Sequence, residues 1–299
     1  PGEQPWVYTR GITAALEHLD MSFDELLPLV RSAAQILQQQ TVHSKEALDR
    51  LLAQQVAAQL PPDKRTRWNA PSMYGAPDRQ TVGGAAVSFL LRPCSFSGLV
   101  VFGCRRGGSP TFASFRSWLG RAPETPPDAD RLLVRKFLHC HGPSTPALLA
   151  EWLGCSPAQA RRLWNSVAQE LEPVSVEGKA RWFLSADRDA LAHPCGPQER
   201  LLLLGPHDPY LDTRDRDVLL PDKALQKLVW RTVGNPGAVV LDGRISGVWT
   251  ARTVRDRLEL SVTAWQAFSA RQQSMLEIRA QEYAAFRGLS LLKYTLEDG

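Results

Sequence analysis

The sequence lacks long apolar runs and the short motifs of several common enzyme classes. No apolar stretch approaches the roughly 18 residues that a membrane span needs, and no signal peptide is recognisable. The P-loop, a GxGxxG after a strand, HExxH and GxSxG are all missing. These absences argue against a transmembrane protein, a nucleotide-dependent enzyme, a zinc protease and a serine hydrolase. We predict a soluble cytoplasmic protein.

Cysteine and histidine are too scattered to indicate a metal centre. The five cysteines, at positions 94, 104, 140, 155 and 195, include no CxxC pair and no zinc spacing with histidine. An odd number of isolated thiols is typical of a reducing compartment. His139 and His141 lie two apart near a helix end, a spacing that favours capping or solvent exposure over metal binding. We therefore predict no metal site.

Positive charge exceeds negative charge only slightly. The 299 residues contain 35 Lys plus Arg and 31 Asp plus Glu, which gives a formal net charge of +4. A nucleic-acid surface on this chain must therefore be a local patch. Arginine-rich segments such as DKRTR and CRRGG occur in the N-terminal half.

The stretch SPAQARRLWNSVAQELEPVSVEGKARWFL, residues 156 to 184, has the pattern of a helix followed by a hairpin. Its Ser-Pro pair is a helix start, and apolar residues at four-residue spacing define one buried face. We expect Pro173 to end the helix and the tripeptide EGK to form a tight turn between two short strands.

The residues before this stretch complete a recognisable order of elements. DRLLVRKFLHCHG and STPALLAEWLG each read as a helix closed by glycine, and Thr145 caps the second one. Helix, short helix, turn, longer helix and hairpin together predict a winged helix over residues 125–190. A winged helix usually places its third helix in a DNA groove and its wing on phosphates. The alternative is that the unit packs on its neighbours or on a protein, with solvated arginines.

Residues 22–120 repeat this order more loosely. Capped helices are predicted at 22–37 and 43–60, and VGGAAVSFLL can form another. The intervening PPDKRTRWNAPSMYGAPDRQT is predicted to be a loop or linker. SGLVVFG and SPTFASF read as strands joined by a turn that carries Arg105 and Arg106. The repeat is one of architecture, since the sequence identity is too weak to prove duplication.

From residue 199 the pattern changes to strands. ERLLLLG is a buried strand, VVLDGRISGVWTAR is a hairpin around Asp242 and Gly243, and RLELSVTAW is a further strand. QAFSARQQSMLEIRAQEYAAFRG reads as a closing helix that Gly288 ends. Residues 199–290 are therefore predicted to form a small antiparallel β domain with a C-terminal helix.

The loop GPHDPYLDTRDR is the most unusual polar stretch of this domain. Polar residues between buried runs indicate either a hydrogen-bonded corner or a site, and both readings remain open. Arg214 and Arg216 can reach phosphate, whereas Asp208 and Tyr210 are better suited to tie the loop to its own domain.

The predicted fold class is α+β: tandem winged-helix units followed by the small antiparallel β domain. Residues 1–21 are expected to be the remnant of a preceding module. The predicted DNA-binding residues lie at wings, in a third helix and in loops: Arg105, Arg106, Arg161, Arg162, Asn165, Lys179, Arg181, His207, Asp208, Tyr210, Arg214, Arg216 and Arg244.

Four ordered motifs resemble one family. LLLLGPHDPYLDTRDR with VLLP, VVLDGRISGVWTAR, GLVVFGCRRGGSPTFASFRSWLG and LVRKFLHCHGPSTPALLAEWLG are similar to segments of bacterial winged-helix DNA-binding proteins, a family that includes the AlkZ- and YcaQ-type DNA glycosylases. The resemblance covers roughly residues 80 to 290. It implies tandem winged helices and a β domain around duplex DNA, cleavage of the N-glycosidic bond of alkylated or crosslinked purines, and no cofactor. Double-stranded DNA is the expected partner of a monomer.

The catalytic signature of that family is not found. It is a Gln-x-Gln or Gln-x-Asp in a "GLQAQ"-like context, followed by an "RGTLH"-like segment. Gln38 and Gln40 have the spacing but follow the wrong helix, and His207 and Asp208 also lack the context. We therefore assign no catalytic residue and expect this chain to release no alkylated base. Either a catalytic module precedes Pro1, or the protein is a non-catalytic DNA-binding or regulatory member.

Overall fold

A computed structural model of the protein describes residues 12–72, 80–107, 109–193, 200–211 and 215–299. The chain divides into two compact units: Pro1–Lys136 with Leu149–Ala168, and Phe137–Leu148 with Gln169–Gly299. This division passes through the sequence predicted to form the second winged helix.

The first unit is mainly helical. Its first helices are α1 Thr13–Leu19, α2 Phe23–Ala34, α3 Lys45–Ala57, α4 Pro62–Trp68 and α5 Val82–Phe96. Side-chain caps explain where several of them begin, because Ser22 forms a capping box with Glu25 and Ser44 accepts the Ala47 N–H at 3.1 Å. Leucines from α2, α3 and α5 are fully buried and form one hydrophobic core.

The segment predicted to be a loop or linker contains helix α4, so that prediction was wrong. Pro62 lies at the first helical position, where a missing N–H costs nothing. Trp68 ends the helix fully buried, and its indole N–H donates to the Ala53 carbonyl at 3.0 Å. Burial of one large ring therefore outweighs the polar composition. Residues 73–79 of the same segment lie outside the described part.

A short hairpin follows α5. Strands β1 Val101–Phe102 and β2 Phe112–Ala113 pair antiparallel, and helix α6 Phe115–Leu119 comes next. Both strands are shorter than predicted. Val42 adds a bridge to the outer edge of β2 through two backbone hydrogen bonds with Phe112, at 2.8 and 2.7 Å.

The next elements come in the predicted order. They are α7 Ala129–His141, α8 Pro146–Leu153, α9 Pro157–Asn165, β3 Leu171–Val176 and β4 Lys179–Leu184. Thr145 caps α8 and Ser156 caps α9, as predicted. The turn of the hairpin is Glu177–Gly178 alone, with positive φ at both residues, and Lys179 is already the first residue of β4.

The end of the third helix differs from the prediction. Helix α9 stops at Asn165, and Pro173 lies inside β3 opposite Trp182. The N–H and carbonyl of Trp182 bond to Ser144 instead, so Pro173 needs no N–H for the β3–β4 ladder at this position.

The second unit contains a sheet with strand order β5-β6-β7-β8-β9. The strands are β5 Leu201–Leu204, β6 Gly237–Leu241, β7 Arg244–Val254, β8 Arg257–Ala264 and β9 Ser290–Asp298, and the helices are α10 Arg188–Ala192, α11 Arg216–Leu219, α12 Lys223–Val229 and α13 Ala270–Phe286. Val239 and its neighbours on one face pack against α13, whereas Val240 and the residues of the other face pack against α11 and α12.

Two features of this sheet correct the prediction. Strand β9 follows α13, so the domain continues past residue 290 and a helix is not its last element. Strand β9 pairs parallel with β8, so the sheet is mixed rather than antiparallel. Helix α13 supplies the crossover that a parallel pair requires.

None of the helices in the described ranges is both long enough and apolar enough to cross a membrane.

Candidate nucleic-acid interface

The turn between β1 and β2 presents two unpartnered arginines. Arg106 and Ser109 exchange backbone hydrogen bonds of 3.2 Å, and Gly107 between them has a positive φ. The side chains of Arg105 and Arg106 are exposed and form no hydrogen bond or ion pair with any described residue. Because neither charge is neutralised, both guanidinium groups are available to an anionic ligand.

The sequence around this hairpin is uniformly basic. Residues 80 to 123 contain five arginines and no Asp, Glu or Lys, although the whole chain is nearly balanced. Arg116 of α6 is another exposed member without a partner among the described residues. This segment therefore carries a local excess of positive charge.

Helix α9 presents its polar side to solvent. Arg161 and Asn165 are exposed, and Arg161 has no partner in the described ranges. Arg162 instead forms an exposed ion pair with Asp130 at 2.8 Å. Exposed pairs of this kind are weak, so a phosphate can replace Asp130 at little cost.

The two cationic side chains of the β3–β4 hairpin have different surroundings. Lys179 is exposed beside the turn. Arg181 is only 8% exposed, and its guanidinium binds both oxygens of Asp215 at 2.7 and 2.6 Å. A third bond of 3.4 Å goes to the Pro143 carbonyl. Arg181 therefore differs from the expected exposed DNA contact, because its charge is already neutralised in a buried pair.

The loop after β5 forms a hydrogen-bonded corner. The Asp208 carboxylate accepts the Tyr210 N–H at 2.9 Å, and the Tyr210 hydroxyl donates to the Gly243 carbonyl at 2.7 Å. Burial raises the pKa of Tyr210, so the hydroxyl keeps its proton for this bond. His207 is exposed. Of the two readings left open, these contacts support the corner that ties the loop to the β6–β7 turn.

The remaining predicted arginines have different surroundings. The guanidinium of Arg216 lies 4.8 Å from the centre of the Trp230 ring, a cation–π contact, and the side chain is half-buried. Arg244 is exposed at the start of β7, next to the turn. Arg214 lies outside the described residues.

Comparison with known proteins identifies the family. A family model described as "AlkZ-like: DNA glycosylase AlkZ-like" matches residues 7–286. The chain belongs to the AlkZ-like DNA glycosylase family. The solved structure of Streptomyces sahachiroi DNA glycosylase AlkZ is similar, with a TM-score of 0.67 and 23% identity over 94% of this chain and 71% of that chain. At this identity the structural match supports the fold alone. A search of curated proteins found no significant match.

The two glutamines that have the spacing of the family's signature lie on the protein surface. Gln38 and Gln40 are exposed at the end of the short 3-10 turn Gln35–Gln38, and the Gln38 amide bonds its neighbour Gln35.

The histidines and carboxylates of the described residues do not converge on a metal site. The Nδ1 of His139, near the end of α7, lies 2.8 Å from a carboxylate oxygen of Asp187, which follows β4. In the described part of the chain, no group of three or more His, Cys, Asp or Glu residues is placed to hold a metal ion.

Sequence reasoning missed two exposed aromatic residues next to the arginine turn. Phe102 of β1 is 71% exposed and Trp118 of α6 is 44% exposed. The alternation of β1 does not reveal them, because a two-residue strand has no period to read. Their position near CRRGG was the available signal.

Proposed function

We propose that this AlkZ-like protein binds duplex DNA as a member of a DNA glycosylase family that acts on alkylated or crosslinked purines. The unpartnered Arg105 and Arg106 at a hairpin turn in a segment without acidic residues carry this proposal. Family membership supplies the reaction class. Monomeric state and cytoplasmic location stay predictions.

In this proposal, residues 22–120 and 125–190 act as winged helices. Helix α9 is the third helix of its unit and lies in a groove of the duplex. Its exposed arginines and those of the β1–β2 turn contact phosphates on either side of that groove. Residues 199–290, extended by β9, form the following β domain. Arg181, Asp208 and Tyr210 brace this part of the protein through internal contacts rather than touching DNA.

Release of an alkylated base requires few catalytic groups. Cleavage of the glycosidic bond gives the sugar oxocarbenium character, so the reaction needs electrostatic stabilisation and one positioned water. Alkylation at N7 gives the purine a positive charge, which makes it a good leaving group. Two amide groups that orient water can then suffice, and the remaining requirement is to hold and open the duplex.

Replacement of both Arg105 and Arg106 with alanine should weaken binding to every duplex sequence by a similar factor. Each arginine that neutralises a phosphate releases counterions from the DNA. Loss of two such contacts should therefore make the slope of the logarithm of the binding constant against the logarithm of salt concentration shallower by about 2. Fluorescence anisotropy with a labelled duplex at several salt concentrations measures both quantities.

The Arg255→Ala/Arg257→Ala double variant is the matched control, because it removes two exposed arginines without a partner among the described residues from the β7–β8 hairpin. It should leave the salt slope close to that of the wild type. Binding that does not weaken with salt, or an Arg105/Arg106 variant with unchanged affinity, would contradict the proposal.

A non-catalytic role is the second candidate function, and the surroundings of the glutamines favour it for this stretch of chain. We expect no free base when this chain is incubated with a duplex that contains N7-methylguanine, because Gln38 and Gln40 are exposed and Asp208 is bonded to its own loop. Chromatography of the released bases checks this. Release that disappears in Asp208→Asn would instead identify the loop as the active site.

A further inference from the structure

Phe102 is an exposed ring supported on one side. Its ring centre lies 5.4 Å from that of Phe112, the residue directly opposite it on β2. Phe112 is 6% exposed and belongs to the core, whereas Phe102 is 71% exposed. Folding alone does not account for a phenyl ring left so open, since burial of its apolar surface would stabilise the protein.

Trp118 lies next to the same strand. A methyl group added at Gly103 would lie 3.8 Å from Cε3 of Trp118, so the indole is adjacent to the residue that follows Phe102. Helix α6 is fixed locally, because Ser114 caps it and the Ser117 hydroxyl donates to the Leu37 carbonyl at 2.9 Å. Because successive side chains of a strand point to opposite faces, Trp118 lies on the face of β1 opposite to that of Phe102.

The charge around these rings favours a nucleic acid as their ligand. Arg105 and Arg106 follow Phe102 within four residues, and Arg116 lies two residues before Trp118. All three are exposed and unpartnered within the described ranges. Aromatic faces combined with unpaired cations are the combination that binds unstacked nucleotides, with the bases on the rings and the phosphates on the arginines.

We propose that Phe102 binds an unpaired base of the DNA by stacking, while the neighbouring arginines hold its flanking phosphates. The inference rests on the proposed function, because a glycosylase must take its target base out of the stack and so leaves an orphaned base on the opposite strand. The Phe102 ring replaces the stacking that this base loses, which stabilises the opened duplex.

Two duplexes of one sequence test the inference. One is fully paired, and the other carries 2-aminopurine opposite a stable abasic analogue. The wild-type chain should prefer the second duplex by about tenfold, as expected for one stacked base. It should also quench the 2-aminopurine fluorescence, which reports stacking directly.

Variants separate stacking from charge and from apolar contact. Phe102→Ala and Phe102→Leu should lose most of the preference and the quenching, because neither side chain has a π face, whereas Phe102→Tyr should keep both. Phe286→Ala is the matched control, since Phe286 is 84% exposed on α13 and has Glu282 one turn before it. It should bind like the wild type. The Arg105→Ala/Arg106→Ala variant should lose affinity for both duplexes equally.

The outcomes separate this inference from the proposed function. Equal binding of both duplexes by the wild type, or a preference that survives in Phe102→Ala, overturns the stacking role and leaves salt-dependent DNA binding intact. Failure to bind either duplex overturns both. Because Phe102 is exposed, its replacement should not change the circular dichroism spectrum or the melting temperature appreciably.

Discussion

Asp215→Ala is expected to lower the free energy of unfolding by about 3–5 kcal/mol, because it leaves the buried guanidinium of Arg181 without its counterion. Arg181 is 8% exposed, and the Asp215 side chain that binds both of its terminal nitrogens is itself 25% exposed. Water cannot replace the lost carboxylate as it does at a surface. Urea denaturation followed by circular dichroism measures the loss.

Asp217→Ala is the control for this prediction. Asp217 forms an exposed ion pair with Lys223, and the Lys223 hydrogen bond lowers the pKa of that carboxyl. Exposed pairs contribute little to stability, so this variant should unfold close to the wild type. A double variant, Arg181→Met with Asp215→Leu, should recover much of the loss, since apolar residues can replace a buried pair. An Asp215→Ala protein as stable as the wild type would show that solvent reaches Arg181.

The Arg181–Asp215 pair is a contact that sequence reasoning did not predict. The alternation of β4 places Lys179 and Arg181 on one face, and both were expected to meet DNA. Only Lys179 is exposed, because Asp215, 34 residues further along the chain, binds Arg181. No local pattern contains that partner.

Signals that depend on neighbouring residues were read correctly. The caps at Ser22, Ser44 and Ser156 and the tight turn at 242–243 occur where the sequence predicted them, and the predicted turn at 177–179 is present but shorter by Lys179. These features rest on hydrogen bonds or φ angles within a few residues, so composition and spacing determine them. Strand β9 was missed because a single parallel edge strand depends on a partner beyond α13.

The sequence also predicted several of the exposed residues of the candidate interface. Arg105, Arg106 and Arg161 are exposed and unpartnered in the described residues, which follows from their places at a turn and on the polar side of a helix. Tyr210 was expected to tie its loop, and its hydroxyl bonds Gly243. Phe102 was missed, since an apolar residue in a strand is ordinarily assigned to the core.

Trp68→Ala should cost about 3–5 kcal/mol of stability, because it removes the largest fully buried side chain of the first unit and leaves a cavity. It also leaves the Ala53 carbonyl without the indole N–H that now donates to it at 3.0 Å. This residue anchors the segment that composition alone predicted to be a loop. Thermal or urea unfolding of the variant measures the cost.

A double-mutant cycle with Gly83 tests whether the contact is as close as the structure has it. A methyl group at Gly83 would lie 2.1 Å from Cε2 of Trp68, so Gly83→Ala should destabilise the wild type by about 1–3 kcal/mol. In the Trp68→Ala background the added methyl enters the vacated space, so the same substitution should cost little or should stabilise the protein. Additive effects of the two substitutions would mean that the indole ring does not pack against Gly83, and the burial of α4 would need another explanation.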